Sequence, residues 1–139
     1  MINVNINEFD RTLKITLDKV NLKILDKCKK ALLETAKETV GFVADNIVYK
    51  RNIEGQRLQN NETSTAKQKG FNHPLLKTGK MKAGIRFKKN TDLSYDVMFT
   101  NKADVYEKYL HNKKNWKVIG ISNRVINFVK QTFEKKLNG

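Results

Sequence analysis

A single apolar stripe constrains this chain more than any other feature. Between Asp18 and about Val48, Leu25, Cys28, Leu32, Ala36, Val40 and Val43 recur every three or four residues, and Ile47 closes the series. That spacing gathers the apolar residues on one side of an α-helix, with Lys and Glu on the other. Lys30 and Glu34 stand four apart and predict an ion pair on the polar side. Gly41 weakens such a helix by up to about 1 kcal/mol relative to Ala, and it marks a place for a bend or a close contact. A helix this long needs a large surface to cover its stripe, and the rest of the chain has to supply it.

The flanking segments show a different period. Ile2, Val4 and Ile6 alternate with Asn3 and Asn5, which predicts a short strand. Asn7 is then expected to cap a short helical turn through Phe9 and Leu13. Ile85, Phe87 and Lys89 fall on one face of a second strand, and Arg86 and Lys88 on the other. After a turn at Asn90-Thr91-Asp92, Tyr95, Val97 and Phe99 alternate with Asp96, Met98 and Thr100, predicting an antiparallel hairpin. Ala103 to Leu110 has a helical pattern, and 111–115 is a turn. Trp116, Val118 and Ile121 predict a third strand or an extended segment. Ser122 caps a last helix in which Val125, Val129, Phe133 and Leu137 recur every four residues, supported by Ile126 and Phe128.

Between the long helix and the hairpin, residues 50–72 lose all periodicity and are rich in Asn, Gln, Ser, Thr and Gly. In a compact domain so long a loop is functional or disordered, and a partner would order it. Pro74 ends the loop by holding His73 extended. Leu75 and Leu76 provide an apolar anchor, Thr78 an N-cap, and Gly79 a place where backbones can approach closely. Lys80 to Gly84 then make one or two helical turns before the hairpin. The sum is a single α+β domain over 1–139. A small antiparallel sheet packs against a long N-terminal helix and a C-terminal helix, with one long polar loop.

Charge is the second strong constraint. Lys and Arg number 28 against 14 Asp and Glu, a net +14 on 139 residues. Residues 51–90 alone hold ten basic side chains and two acidic ones, a net +8. Lys77, Lys80, Lys82, Arg86, Lys88 and Lys89 cluster around the turn and the first hairpin strand. Such a field attracts polyanions, either nucleic acid or the acidic face of a protein. A hydrophobic content of 39% suits a modest core, and no apolar run of about 18 residues predicts a membrane span. The opening MINVNINEFD lacks the pattern of a secretory leader, so synthesis in the cytosol is expected. Cys28, the single cysteine, lies on the apolar stripe and is expected to be a buried structural thiol.

Motifs of catalysis fail on spacing and context. Ser64-Thr65-Ala66-Lys67 and Lys77-Thr78-Gly79 mimic a serine acyl-enzyme signature, but they stand close together in a loop and a turn of a small chain. Asp92, Asp96 and Glu134 do not form a carboxylate pair for a divalent metal, and His73 and His111 are isolated from any zinc-like partner. A Gly-rich phosphate loop and a recognisable DNA-binding module are both missing from the sequence. The expectation is a protein without enzymatic activity, metal or cofactor.

Three short stretches, in this order of elements, resemble the tail-completion and virion-morphogenesis family of tailed bacteriophages. They are PLLKTGKMKAGI from Pro74 to Ile85, ADVYEKYLHN from Ala103 to Asn112, and WKVIGIS from Trp116 to Ser122. The Pro74–Ile85 stretch is similar to the family's apolar pair, basic residue and Thr-Gly leading into a strand. The Ala103–Asn112 stretch resembles its Ala–Tyr–His/Gln helix, and the Trp116–Ser122 stretch resembles the step that opens its C-terminal helix. Asn115-Trp116-Lys117-Val118 stands where the family has an Arg-Pro-aromatic turn, and Asn112-Lys113-Lys114 where it has a Gly. The resemblance spans about 18–137. It implies a structural subunit of the virion neck or tail, made in the host cytoplasm. Such subunits form a homo-oligomeric ring, six- or twelve-fold, against portal, neck or tail-tube proteins. DNA passes through the ring with transient, non-specific contact. The alternative from composition alone is a small cytosolic, sequence-independent nucleic-acid-binding protein.

Overall fold

The computed structural model of the chain describes residues 2–7, 11–49, 51–57, 84–99 and 118–139. Strands come first. β1 (Ile2–Asn7) and β2 (Thr12–Leu17) pair antiparallel, with Ile2 opposite Leu17, Val4 opposite Ile15 and Ile6 opposite Leu13. Leu13 therefore belongs to a strand rather than to the helical turn expected there; Phe9 lies outside the described residues. Leu13, Ile15 and Leu17 alternate with Thr12, Lys14 and Thr16, so an extended chain buries all three on one face. Pairing along both sides of β2 outweighs a local helix signal of a few residues.

Arg11 and Lys19 bracket β2 with φ of 48° and 52°, and the left-handed backbone at Lys19 stops a helix from starting at Asp18. The Asn21 side chain accepts a 2.9 Å hydrogen bond from Lys23 N and caps a 3₁₀ turn, Leu22–Ile24. Helix α1 (Leu25–Val48) follows and carries the stripe, with Cys28, Leu32, Ala36, Val43 and Ile47 all buried. Thr35 and Thr39 are buried on the same side. Each donates its hydroxyl to the carbonyl four residues back, at 2.7 and 2.8 Å, so neither is left unsatisfied. One local expectation fails: Glu34 faces Lys37 at 3.8 Å rather than Lys30. At Gly41 a Cβ would meet nothing within 4 Å, so no close contact among the described residues requires that glycine.

The expected hairpin forms from β3 (Ile85–Thr91) and β4 (Ser94–Phe99), with Ile85 opposite Phe99, Phe87 opposite Val97 and Lys89 opposite Tyr95, but its turn falls at Asp92 and Leu93, since Asn90 and Thr91 extend β3. β4 also pairs with β2, Leu13 opposite Val97 and Ile15 opposite Tyr95. The result is a four-stranded antiparallel sheet in the order β1-β2-β4-β3. Helix α2 (Asn123–Asn138) buries Val125, Val129 and Phe133. It runs antiparallel to α1: Phe128 stacks on Phe42 at 4.4 Å near one end, and Lys136 meets Glu38 at 3.4 Å nearer the other. Both helices lie on the apolar face of the sheet, α1 against β3 and β4 and α2 against β1, which is a two-layer α+β fold. Of the two alternatives expected there, a third strand or an extended segment, no strand forms: residues 118–120 form bends, with Val118 and Ile119 buried. Trp116, the predicted helix 103–110 and the turn 111–115 lie outside the described residues.

Candidate polyanion-binding face

β3 sets the geometry of the basic residues at the hairpin. Successive side chains of a strand point to opposite faces. Arg86 and Lys88 therefore share the outer face of the sheet, and Lys89 turns to the face that holds Phe87. Cross-strand register extends the outer row. Lys88 lies opposite Asp96, Asp96 opposite Lys14, and Lys14 opposite Asn5. The outer face thus presents Lys14, Arg86 and Lys88 around one carboxylate. Oδ1 of Asp96 is buried and has no hydrogen-bond partner among the described residues. Opposite charges in facing positions of neighbouring strands attract, so Asp96 offsets part of the lysine field.

Lys89 is engaged elsewhere. Its Nζ lies 2.6 Å from Asp92 Oδ1, and Lys29 of α1 approaches Oδ2 at 3.4 Å. The hydrogen bond and the charge of Asp92 hold the Lys89 ammonium above the ordinary lysine range, and Lys89 first and Lys29 second hold the Asp92 carboxyl below its ordinary range. Of the six residues expected to form one basic cluster, the three described ones are therefore divided. Arg86 and Lys88 are on one face and Lys89 is paired on the other. Lys77, Lys80 and Lys82 lie outside the described residues, as do Pro74, Thr78 and Gly79.

A polar clasp that the sequence did not announce frames the opposite end of the helix layer. Asn46 is fully buried on α1; its amide donates to Val118 O at 3.0 Å and its carbonyl accepts from Arg124 Nη1 at 2.9 Å. Arg124 also donates to Asn52 O at 3.2 Å, and its guanidinium lies 4.5 Å from the centre of the Phe42 ring. Asn52 is buried too, and its side-chain oxygen accepts from the backbone of Glu54 and of Gln56, both at 3.0 Å. Residues 51–57 are thereby closed into a compact turn, with a bridge between Arg51 and Arg57. Gly55 sits at φ 84°, and a Cβ there would stand 3.1 Å from Arg124 Cδ. Ser122 completes the frame by donating to Ile53 O at 2.6 Å while accepting from Val125 N as the cap of α2. Burial, and then the charge of Arg51, lower the Arg124 pKa.

The first part of the polar loop is thus a tied element, while 58–72 lies outside the described residues. Sequence periodicity found neither the clasp nor the second group of cations, the lysines of α1 and α2 that face away from the sheet. Among the described residues, no three His, Cys, Asp or Glu side chains converge as metal ligands, and no helix is long and apolar enough to cross a membrane. Comparison with protein-family models, with curated proteins and with solved structures finds nothing that matches this chain.

Proposed function

We propose that this chain is a structural, non-enzymatic subunit of the head–tail junction or the top of the tail of a tailed phage. It assembles with copies of itself into a ring through which DNA passes, and neighbouring rings of the neck or tail contact it. One observation carries this reading. The three stretches that resemble the tail-completion family occur in an order that matches the elements around them. A long helix precedes the Pro74–Ile85 stretch, a hairpin follows it, and the stretch ending at Ser122 leads into a capped C-terminal helix. The net charge of +14 supports it in a second way, because a subunit lining a DNA conduit has to present cations without base readout.

The same charge favours a second reading, a free nucleic-acid-binding protein of the cytosol. The two readings part on where the protein is found. Purified particles, probed by mass spectrometry and by electron microscopy with a labelled antibody, are expected to hold several copies of the chain at the neck or tail top. A chain found only in the soluble fraction, monomeric and bound to DNA, overturns the ring and leaves the second reading.

A further inference from the structure

We infer that the groove between α1 and the end of α2, on the helix side of the molecule, is a binding site for nucleic-acid backbone phosphates. The groove encloses about 560 Å³ and is lined by Lys27, Lys30, Ala31, Glu34, Lys135, Lys136 and Gly139. Its four lysines come from two helices that run antiparallel, so packed backbone holds them in place rather than a loop. Lys27 and Lys30 are three residues apart on one side of α1, and Lys135 and Lys136 are consecutive on α2.

The ion pairs decide how much of this charge is available. Lys136 is held 3.4 Å from Glu38, and Glu34 is drawn to Lys37 at 3.8 Å. Lys27, Lys30 and Lys135 are exposed and make no ion pair among the described residues. The hairpin has carboxylates of its own. Lys89 there is tied to Asp92, and Asp96 stands in register between Lys14 and Lys88. Both basic surfaces hold a carboxylate, Glu34 in the groove and Asp96 on the sheet; the groove differs in that two packed helices hold its exposed lysines.

The lining also selects the kind of partner. Among the described residues Ala31 is its one apolar side chain other than the lysine stems, and no aromatic lines it. A protein interface draws its energy from buried aromatic, Arg or aliphatic anchors, and this groove offers none. Nucleobases bound by stacking would need an aromatic platform. Ammonium groups on flexible stems are point charges without the fork of Arg, suited to phosphates in no fixed geometry. The choice of nucleic acid rests in part on the conduit reading above, but its test is separate from particle incorporation.

The probe is the purified full chain titrated with two duplexes of unrelated sequence over a range of salt. Lys27→Gln/Lys30→Gln/Lys135→Gln is compared with Arg86→Gln/Lys88→Gln and with the charge-preserving Lys27→Arg/Lys30→Arg/Lys135→Arg. Each lost phosphate contact lowers the slope of log affinity against log salt by about 0.9. The triple Gln variant should therefore lose about 2.7 of slope and more than about tenfold of affinity at low salt, equally for both duplexes. The triple Arg variant should keep both. A triple Gln variant with the affinity and slope of the wild type overturns the site, as does loss of binding only in the Arg86/Lys88 variant. Polyglutamate that competes as well as duplex DNA also overturns it, in favour of an acidic protein. A wild-type chain that binds DNA through the groove but is absent from particles sinks the ring while keeping the site. A groove variant that enters particles but has lost DNA affinity supports both.

Discussion

Arg124 is where single residues matter most in this fold. Its guanidinium satisfies Asn46 Oδ1 and Asn52 O at once and covers the face of Phe42. Arg124→Met keeps the length of the stem but leaves Asn46 Oδ1 without its donor, while Asn52 O keeps its bond from Gly55 N. A buried acceptor stripped of its partner costs about 1–3 kcal/mol. Urea denaturation should show a loss of about that size, and an unchanged midpoint would mean that water replaces the guanidinium at no cost. Asp92 gives a residue-level test of a different kind. Its carboxyl is held below the ordinary range by Lys89 and then by Lys29, so the associated stability is fully present above the unfolded-state carboxylate pKa and is lost as pH falls through the lower folded value. Lys89 acts at the other end of the scale. Its stabilisation is present below the unfolded-state lysine pKa and is lost as pH rises through the raised folded value. In a carbon-13 titration, Asp92 should show a midpoint below that of a free Asp, and the midpoint should move upward in Lys89→Gln. Identical midpoints in both proteins would remove the pair. Both residues are exposed, so the titration is a more sensitive readout than denaturation.

Among the elements, those legible in the sequence each carry a period of their own. α1 and α2 announce themselves by repeats of three and four, and β3 and β4 by alternation on either side of a turn. β2 alternates as cleanly, with Leu13, Ile15 and Leu17 buried, but it follows Asn7 closely and precedes the helix closely. Local cap and turn residues there compete with a pairing to Val97 and Tyr95 some eighty positions away, and only the folded sheet decides between them. The clasp was illegible for a related reason. Asn46 meets Val118 O and Arg124 across sequence separations of 72 and 78, and neither residue has a motif to mark it. Asn46 does interrupt the stripe between Val43 and Ile47, which is the one local sign of a buried polar group. Ser122 was legible as the cap of α2 because Ser before a helical repeat is a local signal. Its second bond, to Ile53 O at 2.6 Å, was not. Ser122→Ala should lower stability by about 1–2 kcal/mol, the upper part of the range for a lost cap. Ser122→Asp restores an acceptor for Val125 N but cannot donate to Ile53 O while ionised. Thermal unfolding of the two variants separates the two bonds. Equal midpoints for Ser122→Ala and the wild type would show that neither contributes.

At the scale of the whole molecule, cations occupy both layers: Lys14, Arg86 and Lys88 on the outer face of the sheet, and Lys27, Lys30 and Lys135 on the helix side. Copies of a +14 chain brought together in a ring repel one another unless polyanions or acidic neighbours screen them. Assembly then needs contacts that outweigh this repulsion, and under the ring proposal the polar segment after Arg57 is expected to supply them. Residues 58–69, LQNNETSTAKQK, contain only Leu58 and Ala66 as apolar residues. Residues 51–57 are different, because Asn52 and Ile53 are tied to Arg124, Ser122 and Gln56. A deletion that reaches into 51–57 would break the clasp and confuse stability with assembly. The informative deletion therefore begins after Arg57 and removes 58–69 with a short Gly-Ser bridge in its place. The shortened chain should keep its helical circular dichroism and unfold within about 1 kcal/mol of the wild type, since so polar a sequence offers a core little to bury. It should also remain monomeric where the wild type oligomerises, and it should be missing from particles in a complementation experiment. Loss of the folded state would place these residues in the core despite their composition. A folded deletion variant that enters particles at the wild-type level would take the assembly role away from the segment and transfer it to the basic faces of the two layers.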